Sequence, residues 1–122
     1  MKIKNFEDLE IWKGSKEIAV KIFKITNNIR FKYDLGFKDQ IRRSAISMPS
    51  NISEGFERNN NNEFIYFLKI AKGSSSELIT QLKIAYETGF LLEKEANYFI
   101  ERLKIINSKI GKLIIYLLKN KV

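Results

Sequence analysis

Apolar residues recur at three- and four-residue spacings along nearly the whole of this chain, and a single proline, Pro49, interrupts them. Such spacing gathers side chains on one face of an α-helix, and the strict alternation of a strand is missing. The pattern predicts four helices, over about residues 6–29, 36–57, 63–88 and 94–119. In the first, Ile11, Ile18, Ile22, Ile25 and Ile29 mark the inward face, with Asn5 and Asp8 as an N-cap pairing. Phe37, Ile41, Ala45, Met48 and Ile52 play the same part in the second. Phe64, Phe67, Leu68, Ala71, Leu78, Leu82 and Ala85 do so in the third, and Phe99, Leu103, Ile106, Ile110, Leu113 and Leu117 in the fourth. Asn59, Asn60, Asn61 and Asn62 read as a loop that caps the third helix, and Gly89 as a left-handed C-cap. Each helix is roughly 35 Å long at 1.5 Å per residue. Similar lengths and short connections predict an all-α, antiparallel up-down-up-down four-helix bundle. The 122 residues suffice for one domain, residues 1–122, which buries roughly two-thirds of its unfolded surface.

Composition narrows the chemistry. Histidine and cysteine are both absent, so no Ser-His-Asp triad, cysteine nucleophile, zinc finger, haem ligand or HExxH helix can be assembled. Glu54, Glu57, Glu63 and Glu77 offer carboxylates, but the Glu-x-x-His pattern of di-iron bundles is excluded and no GxxxxGK loop exists. An all-carboxylate magnesium site is the one catalytic alternative left open. The expectation is a non-enzymatic protein without cofactor or metal. An apolar fraction of 44% and a charged fraction of 30% are those of a soluble globular protein. The charged start of the chain does not read as a signal peptide, and no stretch approaches the ~20 apolar residues of a membrane span. With no disulfide framework either, a cytoplasmic location is expected, and the Asn51-Ile52-Ser53 sequon reads as accidental.

Lysine and arginine number 22 against 14 acids, a formal charge of +8. The excess sits at the two ends of the chain: residues 1–33 carry eight bases and four acids, and residues 94–122 seven bases and two acids. In an antiparallel bundle the first and fourth helices are neighbours. Lys94, Arg102, Lys109, Lys112 and Lys119 fall within roughly a third of the fourth helix's circumference, together with Tyr98, Ile105 and Tyr116. Bases interleaved with tyrosines suit a phosphate backbone and stacked nucleobases, with Lys13, Lys16, Lys21 and Lys24 of the first helix in support. A merely solvated lysine face is the competing reading. Trp12, Ala19, Phe23 and Thr26 widen the first helix's apolar arc to roughly 160°, against the usual ~100°. Together with the Tyr98, Ile105 and Tyr116 stripe, this width points to contacts between copies, against scattered surface apolar residues. The stripe cannot be both an interface and a free stacking surface.

The second helix contains Gln40-Ile41-Arg42-Arg43-Ser44-Ala45-Ile46-Ser47-Met48-Pro49-Ser50-Asn51-Ile52-Ser53-Glu54-Gly55. Proline within a helix removes one backbone bond and crowds the carbonyl four residues back, here Ala45. Ser47, Ser50, Asn51 and Ser53 are placed to satisfy freed groups. The small run Gly73-Ser74-Ser75-Ser76 in the third helix predicts a close, kinked crossing with the second. Arg42, Arg43, Asn51 and Glu54 read either as a polar site or as bridges between helices or subunits.

This segment resembles the four helix bundle proteins known as 23S rRNA intervening sequence proteins, or S23 ribosomal proteins. Their pattern falls here on Gln40, Arg42, Arg43, Ser44, Ala45, Ser47, Pro49, Ser50, Asn51, Ile52, Glu54, Gly55 and Arg58. It continues in Phe6-Glu7-Asp8-Leu9-Glu10-Ile11-Trp12, in Phe67-Leu68-Lys69-Ile70-Ala71-Lys72-Gly73-Ser74 and in Glu77-Leu78. Ser44 and Ser53 stand where alanine is common, and the proline usual after the first helix is missing near Arg30. The resemblance implies a homopentameric ring without established catalytic activity, encoded within inserts of bacterial 23S rRNA genes or elsewhere on the chromosome. Gln40, Arg42, Arg43, Pro49, Asn51, Glu54, Gly55 and Gly73 are read as a structural or subunit-contact motif. The resemblance also implies kinship with the accessory variability determinant proteins of diversity-generating retroelements, basic pentamers that bind a reverse transcriptase and nucleic acid. The expected function is therefore binding of RNA or DNA through phosphates by a homo-oligomer, the alternative being an adaptor for a protein such as a reverse transcriptase.

Overall fold

The computed structural model describes residues 3–120. Four long helices, α1 (Glu10–Ile25), α2 (Leu35–Glu57), α3 (Asn61–Glu87) and α4 (Glu93–Lys119), account for most of them, and no strand occurs among the described residues. Each helix packs against the helices before and after it, and α4 returns to α1, so the four enclose one core. Ile22, Ile41, Met48, Ile52, Leu68, Leu78, Leu82, Leu103 and Ile110 lie at its centre, fully buried. The predicted inward stripes of α2, α3 and α4 are all buried or half-buried.

The first helix is shorter than its periodicity suggests. Phe6–Asp8 forms a separate 3₁₀ turn in which the Asn5 side chain caps nothing, and Leu9 is extended before α1 begins. At the other end Thr26 Oγ1 donates to the Ile22 carbonyl (2.7 Å), and the Asn28 amide donates to that of Ile25 (2.8 Å). The Ile22 carbonyl keeps its helical bond from the Thr26 N–H, but the Asn28 amide takes the Ile25 carbonyl that the Ile29 N–H would use in a further turn, and α1 stops. Ile29 consequently leaves the apolar stripe and is 79% exposed. No proline is needed in this connection, because Asn28 Oδ1 accepts from the backbone N–H of Arg30 (2.7 Å) and holds a second 3₁₀ turn, Ile29–Phe31.

Asparagine chemistry sets the next boundary too. Asn59 is left-handed (φ 53°), and Asn60 Oδ1 accepts from the Glu63 N–H (3.0 Å), which starts α3 two residues before the predicted position. Gly89 adopts φ 85° and ends α3 as expected, with the Phe90 and Leu91 N–H groups returning to the Ala85 carbonyl. Phe31, Phe37 and Phe90 pack together at this end of the bundle, with two centroid separations of 5.1 Å and one of 6.3 Å.

The close approach of α2 to α3 falls at Gly55 rather than at Gly73. A Cβ on Gly55 would stand 2.7 Å from Phe67 Cβ and 3.0 Å from the Phe64 ring, whereas one on Gly73 would meet nothing within 4 Å. Pro49 is buried within an unbroken α2. Asn51 and Ser53 donate to the Ser47 and Ser50 carbonyls, not to that of Ala45.

Gly55→Ala is expected to lower stability by about 1–3 kcal/mol through overpacking. Gly73→Ala should raise it by about 0.5–1 kcal/mol, since an exposed helical glycine gains from a methyl group. Urea denaturation of the two variants checks the pair, and equal effects would place the close contact elsewhere.

Candidate nucleic-acid interface

Of the nine bases expected to contact phosphates, three are engaged within the chain. Lys109 forms an ion pair with Glu10 at the α1–α4 seam. Lys21 lies 3.1 Å from Glu17 and donates to the Tyr98 hydroxyl (2.5 Å). The Arg102 guanidinium lies 3.4 Å from the centroid of the Tyr98 ring and donates to the Tyr98 carbonyl (2.9 Å). Tyr98 is therefore half-buried beneath two cations instead of standing free as a stacking plate. Lys94, Lys112, Lys119, Lys13, Lys16 and Lys24 have no acidic partner among the described residues, and Lys16 rests over the Trp12 ring at 5.8 Å.

These contacts shift two ionisations. The hydrogen bond from Lys109, followed by its charge and more weakly that of Lys13, holds the Glu10 carboxyl below its usual range. The Tyr98 hydroxyl first, then Glu17, favours the charged form of Lys21 and raises its pKa.

Helix packing groups the bases around open grooves. Gly14, Ile18, Ile105 and Ile106 floor one of about 190 Å³ between α1 and α4, bordered by Lys21 and Arg102. Further along the same seam, Ile25, Tyr98 and Phe99 floor a groove of about 500 Å³ beside Lys21, Lys24 and Lys94. Glu95, also there, is occupied by Arg30 (2.9 Å) and by the Leu92 N–H (2.7 Å). Across the bundle, Lys69 and Lys72 of α3 join Lys112 around Gly111, Ser108 and Ile115, in a groove of about 610 Å³. Lys69 and Lys72 had no place in the basic face read from sequence, because residues 34–93 carry no positive excess. Their three-residue spacing on the side of α3 that meets α4 is the signal that would have found them. The Tyr98, Ile105 and Tyr116 stripe spans about 27 Å of α4. Ile105 and Tyr116 are 54% and 44% exposed.

The model of the 23S rRNA-intervening sequence protein family matches residues 7–112. The chain belongs to this family. Its structure is similar to the crystal structure of a protein with unknown function from the S23 ribosomal protein family of Bacteroides thetaiotaomicron. That similarity has a TM-score of 0.77 and a sequence identity of 24%, covering 85% of this chain and 97% of the other. At that identity the likeness speaks for the fold. No curated protein matches the chain.

In this family member most of the quoted motif serves the bundle itself. Arg42 Nε donates to Thr26 Oγ1 (2.9 Å), and its Nη2 donates to the Phe23 carbonyl (3.0 Å) and to Asn27 Oδ1 (2.8 Å). Its guanidinium also covers the Phe23 ring at 4.5 Å. Two residues that widen the first helix's apolar arc are thus covered within the chain, Phe23 by Arg42 and Trp12 by the edge-on ring of Phe6 (5.2 Å). Glu54 pairs with Arg58 (3.5 Å), which reaches Glu63 at the start of α3 (3.3 Å). Gln40 and Arg43 face a polar groove between α2 and α3 with Ser44, Ser47, Ser74 and Glu77. Ser44 donates to Glu77 (2.7 Å), and the Ser47 and Ser74 hydroxyls share a bond of 2.7 Å. Among the described residues no cluster of acids could hold a metal ion, and no helix is long and apolar enough to cross a membrane.

Arg42→Lys keeps the charge but loses the fork, and should destabilise the fold by about 1–3 kcal/mol in thermal or urea melts. Lys109→Ala should return the Glu10 carboxyl upward to its ordinary range, read by side-chain NMR titration. Because that carboxyl is depressed in the folded state, the pair favours the fold at neutral pH, and the benefit fades as the pH falls through the lowered range.

Proposed function

We propose that this protein is a non-enzymatic, cytoplasmic, self-associating member of its family that binds RNA or DNA through phosphate contacts from α4. The observation that carries this reading is the pairing pattern. Lys94, Lys112 and Lys119 are exposed on α4 without acidic partners among the described residues, and Lys69 and Lys72 extend the Lys112 cluster onto α3. Unpaired ammonium groups lose little when they exchange water and counterions for phosphate. The match to a family described by its 23S rRNA-intervening sequence agrees with an RNA target.

Self-association as a homopentamer belongs to the same proposal. It is supported by the apolar side chains left outside the core, Ile105, Ile115, Tyr116 and Leu118 among them. The antiparallel arrangement of each protomer is supported by contacts in reversed order. Ser44 meets Glu77 while Ser47 meets Ser74, and Glu10 meets Lys109 while Arg30 meets Glu95. The same exposed apolar residues favour the second reading, an adaptor whose partner is a protein such as a reverse transcriptase.

Fluorescence anisotropy against a structured RNA and a duplex DNA tests the proposal. For six or more phosphate contacts, affinity should fall by about 10³-fold or more between roughly 50 and 200 mM salt. Changing Lys94, Lys112 and Lys119 together to Glu should abolish binding with no change in the light-scattering mass. Absence of binding at low salt by a well-formed oligomer would reject the phosphate reading and favour the adaptor.

A further inference from the structure

We infer that the α1–α4 groove beside Tyr98 accepts an unpaired nucleobase, so that the nucleic acid bound is single-stranded at this site; the inference rests on the phosphate-binding reading proposed above. Three features of the groove carry it. The floor is apolar and aromatic, built from Ile25, Tyr98 and Phe99, beneath a shallow depression of about 500 Å³ that is open to solvent. Lys24 and Lys94 stand on its two sides without acidic partners among the described residues, one from each helix. The one acid in the lining, Glu95, is already neutralised by Arg30, and the same carboxylate holds the Leu92 N–H.

A shallow apolar depression between two free ammonium groups suits a ligand with a flat, weakly polar body and flanking negative charges. A nucleotide whose base is out of the stack has that form, with its 5′ and 3′ phosphates on either side. In a duplex the bases are paired and stacked, so only backbone reaches the lysines and the floor stays empty. The pinned geometry of Tyr98 assists. Lys21 fixes its hydroxyl and Arg102 covers its ring, so the wall is ordered before a ligand arrives and little conformational entropy is lost on binding. The guanidinium stacked there is itself a plane on which a neighbouring base can lie.

The test uses the full chain with labelled oligouridylate RNA and an RNA duplex of the same length, at one fixed salt concentration. The unpaired RNA should bind at least about tenfold more tightly, the scale of one well-placed base contact. Oligouridylate carrying 5-bromouridine should crosslink on irradiation to a peptide containing Tyr98. Ile25→Trp, which fills the groove and leaves every lysine in place, should remove the preference and the crosslink while retaining duplex binding. Equal or tighter binding of the duplex, or a crosslink confined to other helices, would overturn the inference and leave the phosphate reading intact. If neither nucleic acid binds, the phosphate reading fails and this inference with it. A melting temperature for Ile25→Trp close to that of the parent protein separates loss of the site from loss of the fold.

Discussion

The close contact between α2 and α3 is the constraint on which the rest of the bundle depends. Gly55 lets the Phe64 and Phe67 side chains come nearer than any Cβ would permit, and the Ser47–Ser74 and Ser44–Glu77 bonds continue the seam toward the other end. Short side chains along a seam set a small interaxial distance, and the remaining helices must close around that pair. Arg42 then fixes α1 to the same helix, through three hydrogen bonds and a stacked ring. The fourth seam, α1 against α4, is the most sparsely packed. Ile106 fills the space over Gly14, and elsewhere long polar side chains span the gap, Lys109 to Glu10 and Lys21 to Tyr98, while Arg30 reaches Glu95 from the 3₁₀ turn beyond α1. Bridges of that length hold two helices together without filling the space between them. Grooves open there because the tight seam lies on the other side of the bundle.

The same bridges decide which charges are available. A formal charge of +8 describes the chain, but phosphate responds to the bases that remain uncompensated at the surface. Glu10 and Glu17 lie on the side of α1 that faces α4, and they engage Lys109 and Lys21. The middle of the α1–α4 seam is thereby less positive than the count of bases suggests. Positive potential moves to its margins, to Lys24 and Lys94 near one end and to Lys112 and Lys119 along the other half of α4. Lys69 and Lys72 strengthen the α3 side. The positive face is set by how acids of one helix fall against bases of the next.

Much of the fold was legible because helical periodicity is a local signal and the core positions are apolar at that spacing. Every predicted inward position of α2, α3 and α4 is buried or half-buried, and Gly89 caps α3 with the expected left-handed turn. The misreadings occur where a side chain competes with the backbone. Asn28 ends α1 early and carries Ile29 into solvent, although its spacing fits the stripe. The small run at Gly73 reads as the crossing, whereas the closest approach falls at Gly55, which only the packing of Phe64 and Phe67 reveals. At the candidate interface the arc of bases on α4 was readable from angle alone. The pairing of Lys109 and Lys21, the covering of Tyr98 and the arrival of Lys69 and Lys72 were not, because each depends on which residue stands opposite on another helix.

Self-association and phosphate binding make different demands on α4, and in the proposed oligomer they reinforce each other. A single protomer offers only a few unpaired lysines on any one face, and a few phosphate contacts bind weakly at physiological salt. Contacts between copies through Tyr116 would leave Lys112 and Lys119, about 40° and 60° round the helix from it, at the rim of each interface, beside bases of the neighbouring copy. In a closed ring that rim would repeat at fixed intervals, and a nucleic acid held by one protomer would meet the next at high effective concentration. Affinity then depends on the number of rims one strand can reach, and a modest surface charge per chain becomes sufficient. The groove at Tyr98 lies toward the other end of α4, well away from Tyr116 and Leu118, so covering that apolar end leaves the groove accessible. In that arrangement the stripe would divide along its length, with Tyr98 held by Lys21 and Arg102 and Tyr116 covered by the neighbouring copy.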